Sequence, residues 1–336
     1  MSPRHHRLGR SDVTFSELAL GGAPLGGSGA PVTDGDARRV METAWELGIR
    51  GFDTAPHYGL GLSEHRMGAV LSGLPRSQFT LSTKVGRLLV PGDGGTADDA
   101  ANGFPGLRTP LRRQWDFSAA GVRRSLAESL ERLGLDHADI ALIHDPDDHG
   151  EQAFAEAYPA LERLRAEGAV GAIGAGMNQS AMLTRFVRDT DVDVVLLAGR
   201  YSLLDQSGLT DLLPAAAERG TSVIVGGVYN SGLLADPHPG ATYDYVPAKA
   251  ELLQRALRIK QITARHGVPL RAAAVQFPLA HPAVTSVLVG ARSAAEVRDA
   301  AAMHRHPIPA ELWEELRAEG HLRPDAPVPG GGTRAA

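Results

Sequence analysis

Gly51-Phe52-Asp53-Thr54-Ala55-Pro56-His57-Tyr58-Gly59 decides the fold when it is set beside two later runs, Thr80-Leu81-Ser82-Thr83-Lys84 and Asp139-Ile140-Ala141-Leu142-Ile143-His144. Each run is an apolar or β-branched strand that stops at, or just before, an ionisable side chain. Asp53, Tyr58, Lys84 and His144 therefore collect where strands end. In a parallel barrel those ends share one mouth.

Working outward, the same rhythm fills the chain. A strand is predicted around Phe15 to Leu20, and Ala37, Val40, Met41, Ala44 and Trp45 then recur at helical spacing up to Gly48. Strands follow near 49–53, 78–84, 138–143, 170–175, 193–197, 221–225 and 284–289. Helices are expected near 63–71, 118–133, 154–166, 179–188, 209–218, 248–266 and 271–279, with a last one from Ser293. Ser118 is the predicted cap of the third helix, whose apolar face is Val122, Leu126, Leu130 and Leu133, and Gly134 its stop. About eight strands alternating with helices is the pattern of a (β/α)8 TIM barrel. One barrel domain over 1–323 is expected, with 324–336 as a disordered tail and the Gly/Pro/Asp-rich stretch from Val85 to Phe117 as a long loop over the C-terminal mouth. A doubly wound sheet is the alternative, but it calls for G-x-G-x-x-G between a strand and a helix. The nearest match, Gly92-Asp93-Gly94-Gly95-Thr96-Ala97, follows Pro91 and leads into no periodic helix.

Composition narrows the function. The chain has 336 residues, 43% hydrophobic and 22% charged, no cysteine and a formal net charge of -5. No apolar run reaches the roughly 20 residues of a membrane helix, the start lacks a signal-peptide core, and no basic stripe offers itself to nucleic acid. A cytoplasmic protein acting on a small molecule is expected, with neither membrane nor nucleic acid as partner. The run His144-Asp145-Pro146-Asp147-Asp148-His149 holds enough ligand types for a metal hydrolase, but it lies within one loop around a proline, and no metal site is assigned.

The four strand-end residues suit proton transfer. Tyrosine ionises near pH 10 and handles protons poorly at neutrality. Asp53 and Lys84 on successive strand ends can pair, and an ammonium beside a phenol favours phenolate. His144 can then hold a carbonyl or hydroxyl oxygen in line.

The ordered set Phe52-Asp53-Thr54-Ala55-x-x-Tyr58-Gly59, Ser63-Glu64, Leu81-Ser82-Thr83-Lys84 and Leu142-Ile143-His144 resembles the signatures of the aldo-keto reductases over almost the whole chain. The resemblance implies a (β/α)8 barrel using NAD or NADP, with Tyr58 as proton donor or acceptor, Lys84 and Asp53 tuning it, and His144 orienting the substrate. Asp116-Phe117-Ser118, Gly174-Ala175-Gly176-Met177-Asn178-Gln179-Ser180 and Arg200-Tyr201-Ser202-Leu203-Leu204-Asp205-Gln206 are similar to the aldose 1-dehydrogenase branch, which includes L-fucose, D-threo-aldose and pyridoxal 4-dehydrogenases. That branch implies oxidation of a sugar at its anomeric carbon. A general carbonyl reductase and a slow redox sensor are the alternatives, although a sensor has no need of all four catalytic residues.

The resemblance also assigns cofactor positions. Asn178 is expected to hold the carboxamide, while Ala198 and Gly226 stand where the family commonly has Gln and a stacking Tyr. The loop containing Gly227, Tyr229, Ser231, Gly232 and Leu233 is suited to a pyrophosphate, with a plain tight turn as the competing reading. Gly290, Arg292 and Ser293 lead into a helix N-terminus suited to phosphate or ribose. Glu296 would repel the 2'-phosphate of NADP, which favours NAD, and Arg292 argues the other way. His57 and Trp115 are expected to line the substrate pocket, and Arg112 and Arg113 to be solvated.

Overall fold

The computed structural model describes residues 3–92, 98–244 and 246–330. Eight parallel strands close into a barrel in chain order: β1 (Leu18–Gly21), β2 (Gly51–Asp53), β3 (Thr80–Val85), β4 (Ile140–His144), β5 (Ala172–Met177), β6 (Val194–Ala198), β7 (Ser222–Gly226) and β8 (Val284–Gly290), which pairs back onto β1. Helices separate them: α1 (Asp34–Glu46), α2 (Leu62–Leu71), α3 (Ala119–Leu133), α4 (Tyr158–Ala166), α5 (Ser180–Asp189) and α6 (Leu212–Arg219). Between β7 and β8 come α7 (Ala250–Arg265) and α8 (Leu270–Gln276), and after β8 come α9 (Ala294–Arg305) and α10 (Ala310–Ala318). This is the (β/α)8 TIM barrel. Among the described residues no helix is long and apolar enough to cross a membrane.

Strand alternation explains both cores. On β4, Ile140 and Leu142 join Leu8, Phe15, Ala172, Val194 and Ile224 inside the barrel, while Ala141 and Ile143 face the helices. The interior is plugged from below by the N-terminal hairpin, in which His5–Arg7 pairs with Thr14–Ser16 and buries Phe15 completely.

That hairpin corrects the first predicted strand. The run splits at Glu17, whose N–H donates to Arg4 and whose carbonyl accepts from Val287, so the chain passes from hairpin to barrel there. The helix predicted through 279 stops being α-helical at Gln276, because Pro278 has no N–H to continue the ladder, and Phe277–Ala280 tightens into a 3-10 turn. The helix predicted from 154 starts earlier, at Gly150, and passes through a π-turn over Ala153–Ala157 ahead of α4. Ser118 and Gly134 bound α3 as expected: the serine hydroxyl accepts from Gly121 N–H and the glycine sits at φ 63°.

The stretch 85–117 is built rather than loose. Arg87–Pro91 pairs with Leu111–Trp115, and Asp98–Asp99 with Phe104–Arg108, both antiparallel. Residues 93–97, most of the G-x-G-x-x-A look-alike, lie outside the described residues. The expected tail is ordered in its first part: Ala326 is buried and its carbonyl accepts from Arg317, while 331–336 lie outside the described residues.

Candidate active site

The parity that sends Ile140 and Leu142 inward also aims His144, the last residue of β4, into the mouth. On β3, Lys84 takes the inward parity while Leu81 and Val85 pack outward. Room for its stem comes from Gly176 on β5, where an added Cβ would stand 3.6 Å from Lys84 Cε. Lys84 Nζ donates to Asp53 Oδ2 at 2.6 Å and to the Thr54 carbonyl at 3.0 Å, and both side chains of the pair are buried. Burial would strip the lysine of its proton, yet the Asp53 charge and hydrogen bonds to Asp53 and Tyr58 outweigh it and move the pKa up. The ammonium lies 4.8 Å from the centre of the Tyr58 ring.

Tyr58 sits on the β2–α2 turn. Gly26 fixes that turn from outside, since a Cβ there would approach the Tyr58 carbonyl carbon to 2.5 Å. The Tyr58 and His144 rings meet edge-on at 5.8 Å, and His57 lies 5.6 Å from His144 and 6.0 Å from Tyr58. His144 is buried and its pKa is pushed well below 6.5, by burial first and then by the charges of Arg87 and Lys84. It is a neutral imidazole with one N–H to offer. Its Nδ1 has no partner among the described residues.

From Asp53 and Tyr58 a groove of about 880 Å³ runs across the mouth. Gly227, Tyr229, Ser231, Gly232, Gly290, Arg292 and Glu296 line it, as do Leu196, Ala198 and Gly226, the last two with little or no side chain. Missed in the sequence were Gly21, Gly22, Ser28 and Gly29 on its near wall and Arg271 and Asp299 at its far end. The paired glycines at 21–22 were a signal; the Arg271–Asp299 pair carried none.

Other expectations need correction. Leu233 is fully buried in the core, and its N–H donates to Asn230. The amides of Asn230, Gly232 and Leu234 likewise close turns within the loop, so the tight-turn reading holds there. Asn178 is exposed beyond β5 and lines neither cavity. The Ser293 hydroxyl caps α9 by accepting from Glu296 N–H, and Glu296 Oε2 accepts from Arg292 N–H at 2.8 Å. Arg292 also reaches across the groove to the Ser28 carbonyl at 3.2 Å.

A second cavity of about 470 Å³ lies under the 85–117 excursion, lined by His57 and Trp115 together with Arg87, Asp99 and Arg113. Trp115 is 45% exposed, and Arg87 stacks on it at 4.2 Å. Arg87 is itself buried, and pairs with Asp145 at 2.5 Å. Arg112 is exposed as expected. Arg113 is not: it forms a bidentate pair with buried Asp99 at 2.8 and 2.7 Å, because its carboxylate partner lies on the neighbouring small ladder.

The aldo/keto reductase family model matches residues 17–319 of this chain. The chain belongs to the aldo/keto reductase family. It is 46% identical to D-threo-aldose 1-dehydrogenase of a Pseudomonas species, across 96% of this chain and 99% of that one. It is 40% identical to pyridoxal 4-dehydrogenase of Microbacterium luteolum, covering 93% and 96% of the two chains. Among solved structures, an aldo-keto reductase from Bacillus halodurans superposes with a TM-score of 0.75 at 26% identity, covering 94% of this chain and 96% of that one. This aldo/keto reductase is an oxidoreductase.

Proposed function

We propose that this reductase-family member works as an NAD(P)-dependent aldose 1-dehydrogenase of the L-fucose or D-threo-aldose type, with NAD favoured. The observation that carries the reading is the buried Lys84–Asp53 pair under Tyr58, opening directly onto a groove with a glycine-rich floor. The 46% identity to an aldose 1-dehydrogenase over nearly both chains supports the substrate class.

The groove fits a dinucleotide. At Gly226 even an added Cβ would stay 3.5 Å from Leu196 Cδ2, so a flat ring can lie on that floor without a stacking tyrosine. Gly226, Ala198 and Leu196 would support the nicotinamide end; Arg292 and Glu296 would flank the adenosine end, beside the N-terminus of α9. Bound there, the nicotinamide would accept the hydride lost from the anomeric carbon. Tyr58 takes the proton from the anomeric hydroxyl, its phenolate favoured by the Lys84 charge. Lys84 is kept charged by Asp53. His144 donates its N–H to the same oxygen and fixes its direction, and its neutrality keeps a competing proton source out of the mouth. The cavity beside His57 and Trp115 receives the remainder of the sugar.

Pyridoxal oxidation is a second reading, favoured by the 40% identity to a pyridoxal 4-dehydrogenase over nearly both chains. Purified protein assayed against free aldoses, pyridoxal and simple aldehydes with NAD, NADP and NADPH separates the readings. Aldose-dependent NADH formation is expected. Aldehyde reduction with no sugar oxidation would replace the proposal by a general carbonyl reductase, and cofactor binding without turnover by a sensor.

A further inference from the structure

His57 is held differently from the other histidine of the mouth. Arg113 donates its Nε–H to His57 Nδ1 and an Nη2–H to the His57 carbonyl at 2.8 Å, while the same guanidinium is forked onto Asp99. Asn102 donates to Asp99 Oδ1 at 2.7 Å and fixes the carboxylate. Phe104 packs edge-on against the His57 ring at 5.4 Å. Four of these residues, Asp99, Asn102, Phe104 and Arg113, come from the excursion, and His57 is the neighbour of Tyr58 in the chain.

An arginine cannot accept a hydrogen bond, so a ring nitrogen facing Arg113 must be the unprotonated one. The hydrogen of the neutral imidazole is thereby assigned to Nε2. The hydrogen bonds of His57 run through Nδ1 and its carbonyl, which leaves Nε2 for the 470 Å³ cavity that the residue lines. We propose that Asp99, Arg113 and His57 form a positioning chain that makes His57 a fixed Nε2–H donor to an oxygen on the carbon next to the reacting one. The inference rests on reading that cavity as the substrate side of the site. The placement suits it: the His57 ring lies 6.0 Å from Tyr58 and 5.6 Å from His144, which are themselves 5.8 Å apart, so it stands beside an oxygen that those two would hold.

Burial first, then the charges of Arg87, Arg113 and Lys84, hold the His57 pKa down to about 2, and the rings of Tyr58, His144 and Phe104 pack against it. His57 thus stays neutral with its single N–H on Nε2, whereas a free histidine near pKa 6.5 would exchange tautomers and gain a charge. A vicinal hydroxyl or phenolic oxygen is the feature such a donor selects, and a substrate lacking it leaves the donor unpaired.

Two measurements test this. In the first, L-fucose and 2-deoxy-L-fucose are compared by kcat/KM in wild type, His57→Phe, His57→Gln and Arg113→Lys. Phe keeps the ring packing, Gln restores an N–H, and Lys keeps a charge against Asp99 without the fork. Wild type should prefer the 2-hydroxyl sugar by about tenfold or more, the price of one unpaired donor. The preference should collapse toward one in His57→Phe, fall in Arg113→Lys and return in part in His57→Gln. An unchanged preference in His57→Phe, or equal use of both sugars by wild type, would overturn the positioning chain while leaving aldose oxidation intact. Failure of wild type to oxidise either sugar would overturn the substrate reading and this inference with it. The second measurement needs no turnover: imidazole ¹⁵N shifts of the full-length protein should show His57 as a neutral Nε2–H tautomer that does not titrate between about pH 5 and 8. A His57 that titrates in that range contradicts the proposal, and titration appearing only in Arg113→Lys supports it.

Discussion

At the scale of single residues, the Lys84–Asp53 pair does two jobs that mutation can separate. Lys84→Met leaves a buried carboxylate with no counter-charge, which costs about 3–5 kcal/mol in stability and also removes the charge that favours phenolate. Adding Asp53→Asn should restore most of the stability, read by chemical denaturation, but none of the turnover. A double variant that recovers activity would mean the lysine serves only the fold. Glu296 offers a similar separation. Its carboxylate accepts from the Arg292 amide, an acceptor role that Gln retains, so Glu296→Gln changes charge with little change in the helix end. The ratio of NADP to NAD affinity should rise by about tenfold, measured by fluorescence titration of both cofactors. A constant ratio would show that Glu296 serves α9 alone. Asp53, Lys84 and His144 were readable because each stands at or next to the end of a strand, and Tyr58 because it lies in the turn that follows Asp53. Arg113 was not, since its charge gave no sign of the Asp99 carboxylate that draws it out of solvent.

At the scale of elements, one contact ties the first βα loop to the turn that carries Tyr58. Gly26 lies so close to the backbone of Tyr58 and Gly59 that Gly26→Ala must push the turn, because the clashing atoms are backbone and cannot rotate away. Displacement of a catalytic group by about 1 Å can cost about 10²-fold in rate, so kcat should fall far more than stability does. Gly73→Ala, which meets only the Val70 carbonyl at 3.6 Å, is the control and should leave kcat at the wild-type value. Helix α3 was legible at both ends because Ser118 and Gly134 are local signals. The strands were legible in order but displaced by a residue or two, because hydrophobicity marks burial whereas a strand ends where its neighbour stops pairing. The excursion read as loop, since its two short ladders follow arginine and glycine rather than an alternating pattern. The capping role of Ser293 with Glu296 was also there to be read as Ser-x-x-Glu, but the resemblance pointed to a ligand first.

At the scale of the whole molecule, the bottom of the barrel carries a charge cluster around Glu17 that bears on acid stability. Burial raises the Glu17 pKa, but the His304 hydrogen bond and the charges of Arg4, His304 and His6 outweigh it and pull the value from 4.5 to about 2. A carboxyl depressed on folding stabilises above its unfolded pKa and loses that contribution as pH falls through the folded one. The stability gap between wild type and Glu17→Gln should therefore be full above about pH 5 and close as the pH approaches about 2. A gap that widens in acid would reverse the assignment. The same barrel brings the groove and the second cavity together at Tyr58, and the central claim is that Tyr58 takes the proton as an aldose is oxidised in that mouth. The direct test is aldose-dependent NADH formation by wild type and Tyr58→Phe, each at a saturating cofactor concentration fixed by titration. Cofactor affinity should stay near the wild-type value while kcat falls by about 10²–10⁴-fold; turnover by Tyr58→Phe at the wild-type rate would contradict the account.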